Sequence, residues 1–139
     1  MEFPLSWGLS KTGLPLIIVT CKDDGGNVRN LCFMIDTGAT ESILFSFVYD
    51  LFKNSFKHID DQGSVMSIDG TTYETPLVQA TFNFENEAYT GSFLIFSVSD
   101  AIKSIEDESG VQIHGVIGTR FLVENKWILD FEKCKITSK

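Results

Sequence analysis

Residues 33 to 44 read F-M-I-D-T-G-A-T-E-S-I-L, and at the centre of this stretch Asp36-Thr37-Gly38-Ala39 places an acid directly after an apolar run. The run from Leu31 to Ile35 predicts a strand that is buried on both faces and ends at the acid. A carboxylate beside a hydroxyl residue and a glycine can be held at the floor of a cleft. Asp-Thr-Gly alone also arises by chance, so its interpretation depends on the surrounding sequence.

A helix is predicted after the acid. Apolar residues recur there at helical spacing, at Ile43, Phe47, Leu51 and Phe52. Thr40 and Ser42 precede them as candidate N-caps. The local prediction is therefore a strand, a sharp turn and a helix from Ser42 to Phe56.

A second motif lies late in the chain. It reads Val116-Ile117-Gly118-Thr119-Arg120-Phe121-Leu122, followed after a short polar break by Trp127-Ile128-Leu129-Asp130-Phe131. With the earlier motif, this sequence resembles the retropepsin-like aspartic proteases, the single-domain family of retroviral proteases with cellular and bacterial relatives. In that family an Asp-Thr-Gly-Ala turn is followed by two apolar residues, a glycine and a short helix. The long, Phe-rich predicted helix favours the cellular or bacterial branch.

The resemblance implies an all-β fold: a closed, barrel-like aspartic protease domain with one or two short helices. The pattern of the chain agrees, since residues 1–139 contain no linker and read as one domain. Hairpins are predicted for 14–22 with 28–35, for 64–68 with 71–77, and for 79–84 with 88–98. Residues 100–110 read as a loop or one short helix, and 111–117 as a strand.

One of these hairpins has Asp69-Gly70 at its turn, a strong signal because a type I' turn needs positive φ at both central residues. The resemblance implies that this hairpin is a flap that closes over bound peptide. Its tip residues are then substrate contacts: Ser67, Ile68, Asp69 and Gly70. An ordinary surface hairpin is the alternative.

Proteolysis by this family's chemistry needs two carboxyl groups facing one water, one accepting and one donating a proton. The chain contains one Asp-Thr-Gly and no Asp-Ser-Gly. A protease would therefore be a symmetric homodimer with Asp36 and its copy on the two-fold axis. By resemblance, Thr37 bonds across that axis and Gly38 allows close backbone approach. The alternative is that Asp36 merely bonds its own backbone in a turn.

Further substrate contacts follow from the resemblance. Ala39, Thr40, Glu41 and Ile117 are the candidates, although retroviral relatives carry an acid where Thr40 stands. Those enzymes also have Arg directly after the late glycine, where this chain has Thr119. Arg120 could pair with Glu41 or reach across the dimer, and both possibilities remain open.

Composition excludes several classes of protein. A net charge of -8 without a basic stripe argues against nucleic acid. No stretch is long and apolar enough to span a membrane and no signal peptide is visible, so we expect a cytoplasmic protein. No metal or cofactor is expected, because the histidines His58 and His114 are isolated. The three cysteines read as reduced core thiols, although Cys21 and Cys32 could face each other across the first hairpin.

The leading hypothesis is a homodimeric aspartic endopeptidase that acts on peptides or proteins. The runner-up is a non-catalytic, dimeric peptide-binding module that has kept the protease fold. A third possibility is an unrelated β-sandwich with an incidental Asp-Thr-Gly.

Overall fold

Ten strands and four helices form the part of the chain that the computed structural model describes, which is residues 1–66 and 72–138. In chain order they are β1 (Glu2–Pro4), α1 (Ser6–Thr12), β2 (Leu16–Lys22), β3 (Val28–Ile35), β4 (Ser42–Phe45), α2 (Ser46–Tyr49), β5 (Lys57–Met66), β6 (Thr72–Phe84), β7 (Glu87–Phe96), α3 (Asp100–Ser109), β8 (Gly115–Ile117), α4 (Thr119–Glu124), β9 (Trp127–Asp130) and β10 (Lys135–Ser138). No helix within these residues is both long and apolar enough to cross a membrane.

The larger sheet closes on itself. Its strand order is β2-β3-β8-β4-β7-β6-β5, and β2 also pairs with β6 through Thr20 and Asn83, so six strands form a barrel and β5 extends it. The closing contact between β2 and β6 is this one residue pair. The predicted fold class, a closed all-β barrel with few short helices, is confirmed.

Aromatic side chains fill the barrel. Phe33 packs against Phe82 and Phe93 with ring centroids 5.0 and 5.8 Å apart, and Phe82 and Phe93 are 5.3 Å apart. These rings come from strands that are distant in sequence but face the same interior, since alternate strand residues point to one side. Tilted and edge-on contacts of this kind add to the stabilisation from burial.

A second, smaller sheet joins the two ends of the described chain. Its order is β1-β10-β9, with Phe3 opposite Ile136 and Ile136 opposite Leu129. The sequence motif predicted β9. Neither β1 nor α1 was predicted, because each is too short to show a period.

The predicted hairpins 14–22/28–35 and 79–84/88–98 are confirmed as β2–β3 and β6–β7. Strands β5 and β6 also pair antiparallel, from Lys57 opposite Gln79 to Met66 opposite Thr72. The predicted flap residues Ser67, Ile68, Asp69 and Gly70 lie outside the described residues, and their role stays a prediction.

The predicted helix from Ser42 to Phe56 is wrong. Ser42–Phe45 is strand β4, and only Ser46–Tyr49 is helical. The helical spacing misled because β4 lies between β8 and β7 and bonds to both, which outweighs local helix preference. The argument from helix length for a cellular or bacterial branch therefore no longer applies. Thr40 and Ser42 are not N-caps, since Phe45 holds that position in α2.

Two other segments refine the sequence predictions. Residues 100–110 contain one helix, α3, with Ser99 as its N-cap and Gly110 in the left-handed conformation at its end. Only Gly115–Ile117 of the predicted strand 111–117 is extended in a ladder, beside β3 and β4.

The cysteines do not face each other. Cys21 lies opposite Arg29 and Cys32 opposite Ile18, so the possible cross-hairpin pair is wrong. Both are buried free thiols, as predicted for core cysteines. Burial raises the pKa of each thiol to about 11, which leaves them unreactive near neutral pH.

Candidate active-site loop

Asp36 directly follows β3, and two central strands set its position. Strand β3 runs parallel to β8, with Ile35 opposite Ile117. One residue further on, the Asp36 N–H donates to the Ile117 carbonyl at 2.9 Å. The predicted buried strand ending at the acid is confirmed: Leu31, Phe33 and Ile35 are buried on one face, and on the other Cys32 is buried and Met34 half-buried. The carboxylate is therefore held by the barrel core yet lies at its margin.

The turn after the acid is tight. The Gly38 N–H donates to Asp36 Oδ1 at 2.9 Å, and the Ala39 N–H donates to the Asp36 carbonyl at 3.2 Å. A Cβ at position 38 would lie 3.1 Å from Asp36 Oδ1, so glycine suits this close approach. Within the described residues Asp36 Oδ2 has no hydrogen-bond partner. One carboxylate oxygen is thus oriented by the loop and the other is free to act on a ligand.

The bond from the Gly38 N–H to Asp36 Oδ1 is also expected if Asp36 is only a turn residue. Exposure and anchoring of the loop distinguish a functional acid from a turn residue. Asp36 is half-buried, whereas Thr37 and Gly38 are exposed at the tip. A turn that only needed its own capping bond would not need the further anchoring on α4.

That anchoring comes from the first turn of α4. The Thr119 N–H donates to the Ala39 carbonyl at 2.8 Å, and the Arg120 N–H donates to the Thr40 carbonyl at 3.1 Å. The Thr119 hydroxyl donates to the Thr37 carbonyl at 2.9 Å. The early and late sequence motifs therefore meet in space, and the late motif holds the acid loop in one conformation.

Gly118 is needed for this contact. Its φ is -94°, so it does not serve as a left-handed turn residue. Instead, a Cβ there would lie 2.5 Å from the Glu41 carbonyl oxygen and 2.8 Å from the Ala39 carbonyl oxygen. Any side chain at this position would push the loop away from α4. Glycine is therefore required at position 118 by close packing against the loop.

Ser42 is a site residue that the sequence analysis assigned another role. Its side chain is buried, and its Oγ accepts the Gly118 N–H at 3.0 Å. This bond satisfies a backbone donor that would otherwise be buried without a partner. A polar residue at a buried strand position could have indicated this role, but Ser42 was predicted to precede a helix, so its place in a strand was missed.

Glu41 and Arg120 form an ion pair, with Oε1 and Nη1 2.8 Å apart. The pair predicted within one chain is therefore present, and the reach of Arg120 across a dimer stays a prediction. The Arg120 side chain is about half exposed, so the pair contributes modestly to stability. This ion pair links the end of the loop to α4 in addition to the backbone hydrogen bonds.

The remaining predicted substrate contacts differ in exposure. Ala39 is half-buried and Thr40 is exposed beside the acid. The Ile117 side chain is fully buried in the core, and this residue acts on the site through the carbonyl that holds Asp36. We therefore do not carry Ile117 forward as a substrate contact.

The described residues contain no cluster of three or more His, Cys, Asp or Glu side chains that could hold a metal ion. Among residues 1–66 and 72–138, Asp36 Oδ2 and the Thr37 hydroxyl at the loop tip have no hydrogen-bond partner, and Thr37 and Gly38 are exposed. Such a set can polarise water or bind a peptide backbone.

No protein-family model and no curated protein sequence matches this chain. Among solved structures, one that it is similar to is the crystal structure of the retroviral protease-like domain of Ddi1 from Leishmania major. The TM-score is 0.48 and the identity 11%, over 89% of this chain and 92% of that one.

Proposed function

We propose that this chain is an aspartic endopeptidase that acts as a symmetric homodimer, with Asp36 of each copy forming one catalytic pair. The observation that supports it is the acid loop itself. Asp36 ends a buried strand, has one oxygen bonded to Gly38 N–H and the other free, and sits in a loop anchored on α4. Preorganised, partly exposed carboxylates of this kind are characteristic of functional sites rather than of plain turns.

The reaction needs both carboxyl groups. The ionised one takes a proton from a water molecule while that water's oxygen attacks the peptide carbonyl carbon. The other carboxyl group, Asp36 of the second copy, is protonated and donates its proton to the carbonyl oxygen. The tetrahedral diol then collapses, the C–N bond breaks and the amine leaves with a proton from the carboxyl pair. Water supplies the nucleophile, so no acyl-enzyme forms.

The tip of the loop is suited to contact with a twin. The Thr37 side chain is exposed while its carbonyl is held by Thr119, so its hydroxyl is available to the opposite loop. Gly38 carries no side chain to keep the two loops apart. Thr37 would then lock the two acids at the short separation at which they share one proton.

A peptide would bind in an extended conformation across the two loops. The Ala39 N–H and the carbonyls of Ala39 and Thr40 are already bonded within the loop and to α4, so the Thr40 N–H would be the group that pairs with the peptide, as in recognition by strand addition. The β5–β6 hairpin would close over it as a lid, which excludes water and orients the substrate. Glu41 is already paired with Arg120, and one of its oxygens remains for a substrate amide.

The first prediction concerns Asp36→Asn. Because the amide can neither accept the proton from water nor share one with its twin, we expect turnover of a peptide library to fall by about 10³-fold or more. Turnover by the unmodified protein should peak at mildly acidic pH, where the pair holds one proton. Steady-state cleavage rates across pH, read by mass spectrometry, provide the measurement.

Asp50→Asn is a matched control, since Asp50 is an exposed acid on the turn after α2, and it should leave the rate unchanged. Equal activity of Asp36→Asn and the unmodified protein would contradict the assignment. Tight binding of a peptide without turnover at any pH would instead favour the non-catalytic peptide-binding module.

A further inference from the structure

Strand β3 has a second neighbour along only part of its length. Residues 33–35 pair with β8, which begins at Gly115. One step earlier the His114 side chain takes the place of a strand, because its Nδ1 accepts the Cys32 N–H at 2.9 Å. Within the described residues, the first half of β3, residues 28–31, therefore pairs on the β2 side only.

The direction of the hydrogen bonds shows which backbone groups are open. The Ile35 N–H donates to the Pro15 carbonyl, so Ile35 and every second residue before it bond to the β2 side. In an antiparallel ladder the intervening residues point their N–H and C=O groups the other way. Val28 and Asn30 are such residues, and both are exposed. Their outward N–H and C=O groups form an open edge, which we call the β3 edge.

A cleft lies on each face of the sheet beside the β3 edge. The inner cleft, of about 200 Å³, is lined by Arg29 and Leu31. The outer cleft, of about 280 Å³, is lined by Cys32 and by Ile18, its partner in β2. Because odd and even residues of a strand point to opposite faces, the two clefts lie on opposite sides of the sheet. Both clefts reach Asn30, on the edge between them.

Large apolar side chains are exposed around the β3 edge. Phe47 in α2 and Leu51 just after it border the inner cleft, and Leu51 is 44% exposed. Trp7 in α1 borders the outer cleft, and Val28 on the edge itself is 64% exposed. Apolar residues collected in this way around unpaired backbone indicate a contact surface. Each cleft is smaller than the roughly 300 Å³ at which sites for whole small molecules begin, so each suits individual side chains.

An added strand would satisfy all of these features at once. Its backbone would bond to the open N–H and C=O groups of Val28 and Asn30. Its side chains would alternate between the two faces of the sheet and would enter the inner and the outer cleft in turn. A helix or a compact ligand would leave the backbone groups of the edge unpaired.

Charge indicates what such a strand carries. Arg29 donates from Nε to Asp23 Oδ2 at 2.7 Å, yet its side chain is still 48% exposed. Among the described residues no carboxylate lines either cleft, although the chain has 19 acidic residues. The guanidinium nitrogens beyond Nε can therefore bind a carboxylate of the ligand. A second copy would bring a like net charge of -8, which opposes its approach.

We propose that the β3 edge binds an extended segment of another protein, with apolar side chains at successive positions and a carboxylate beside Arg29. Asp36 lies six residues after Asn30, so roughly 20 Å of strand separates this site from the acid loop. The proposal goes beyond the proposed function and does not rest on it, because the edge can bind a segment whether or not Asp36 cleaves peptides.

The probe for the test is a blocked, fluorescein-labelled peptide, Ser-Asp-Leu-Val-Leu-Thr-Ser. It is titrated with the full chain carrying Asp36→Asn, so that no acid-dependent cleavage consumes it, and fluorescence anisotropy measures the dissociation constant. Two further peptides carry N-methyl groups, one on both leucines and the other on the valine and the threonine. Because only alternate amides of an added strand face the edge, one of these peptides should bind about 10-fold more weakly and the other as the probe does. Equal binding of the two would overturn the proposal.

Variants of the protein locate the binding site. Leu51→Glu places a like charge in the inner cleft and should weaken binding of the probe about 10-fold. Val123→Glu is the control, since Val123 is a 69% exposed apolar residue on α4 that lines neither cleft, and it should leave binding unchanged. Circular dichroism shows that both variants are folded. A folded Leu51→Glu variant that binds the probe as tightly as the control would contradict the proposal.

The role of Arg29 is tested by a change on each side. Replacement of Asp by Asn in the probe should weaken binding about 3-fold in the unmodified protein. In Arg29→Gln, where the side chain keeps a donor for Asp23 but carries no charge, the same replacement should have no effect. A preference for the Asp probe that persists in Arg29→Gln would refute the carboxylate contact.

Hydrogen exchange identifies the occupant of the edge. The Val28 and Asn30 amides should exchange more slowly when the probe is bound. Protection of these amides that rises with protein concentration alone, and that the probe does not increase, would show a second copy in the clefts and overturn the proposal.

The site and the proposed function can fail separately. Binding of the probe that Leu51→Glu weakens, in a protein without Asp36-dependent cleavage, upholds the site and refutes the protease. Asp36-dependent cleavage of a peptide library by a protein whose β3 edge binds no probe upholds the protease and refutes the site.

Discussion

At the scale of single residues, His114 shows how one side chain replaces a backbone group. It lies just before β8, where its N–H donates to the Cys32 carbonyl at 2.8 Å. Its ring Nδ1 accepts the Cys32 N–H at 2.9 Å, a bond that a neighbouring strand would otherwise provide. Because an acceptor nitrogen carries no proton, the folded barrel requires His114 Nδ1 to be unprotonated.

The pH dependence of stability follows from this bond. Burial, which disfavours the charged ring, lowers the pKa of His114 below its usual value of 6.5. As pH falls below 6.5 the unfolded chain takes up the proton first, so the free energy of unfolding decreases until pH passes the lower pKa of the folded state. The slope is at most about 1.4 kcal/mol per pH unit for one proton. Urea unfolding from pH 7.5 to 5 measures it.

His58 supplies the control for that experiment. It is exposed and shares a hydrogen bond with the Tyr49 hydroxyl at 2.8 Å, away from the barrel ladder. We expect His114→Gln to remove most of the slope that histidine contributes in this pH range, and His58→Gln to leave it. The reverse result would show that the Nδ1 bond is unimportant.

At the scale of elements, the loop from Asp36 to Glu41 depends on a strand that local sequence misrepresents. Ile43 and Phe47 have helical spacing, yet Ile43 pairs with Val116 in β8 and with Leu94 in β7. Those partners lie far along the chain, and a local window cannot register them. Asp36 and Gly118, in contrast, could be recognised in the sequence, because each position requires one particular residue type within a short motif.

A comparison of two hydroxyl groups tests how the loop is held. The Ser42 hydroxyl is buried and accepts the Gly118 N–H, whereas the Thr119 hydroxyl donates to Thr37 in an exposed setting. Ser42→Ala leaves a buried donor unpaired and should lower the free energy of unfolding by about 1–3 kcal/mol. Thr119→Val should cost less, about 1 kcal/mol or below, because water can replace the lost bond.

Chemical denaturation of both variants measures the difference. Peptide cleavage adds a second readout, since displacement of Gly118 would move the loop and slow turnover in Ser42→Ala even where the protein is folded. An equal or larger loss of stability in Thr119→Val would contradict this account of the site.

At the scale of the whole molecule, the barrel core and the second sheet have separate tasks. The core aromatic rings pack β3 against β6 and β7, and β3 pairs with β8, which sets the Asp36 N–H beside the Ile117 carbonyl that accepts it. The sheet β1-β10-β9 packs beside the barrel through Trp127, whose ring lies 5.1 Å from Tyr89. The barrel therefore holds the acid, and the smaller sheet joins the two ends of the described chain to it.

The core should be sensitive to the loss of a single ring. Phe93 is fully buried against Phe33, Phe82 and Phe121. Phe93→Ala should lower the free energy of unfolding by about 3–5 kcal/mol, a large share of the stability of a small domain. Phe131→Ala, at an exposed position, should have little effect on the free energy of unfolding of the separate chain. Thermal or urea unfolding at low protein concentration, to limit any contribution from dimerisation, measures both.

The amino-acid sequence by itself predicted the class of fold and the end of β3 at Asp36, and it marked Gly118 as part of a second motif. These depend on residue type and short-range pattern: apolar runs, turn residues and a glycine where backbone must approach backbone. Only the tertiary structure decided that Ser42–Phe45 is a strand, that Arg120 pairs with Glu41, and that the loop after Asp36 is anchored on α4. Each of these depends on which distant segment lies alongside, because hydrogen-bond partners and buried contacts between strands are set by the closed barrel and its register rather than by neighbours in the chain.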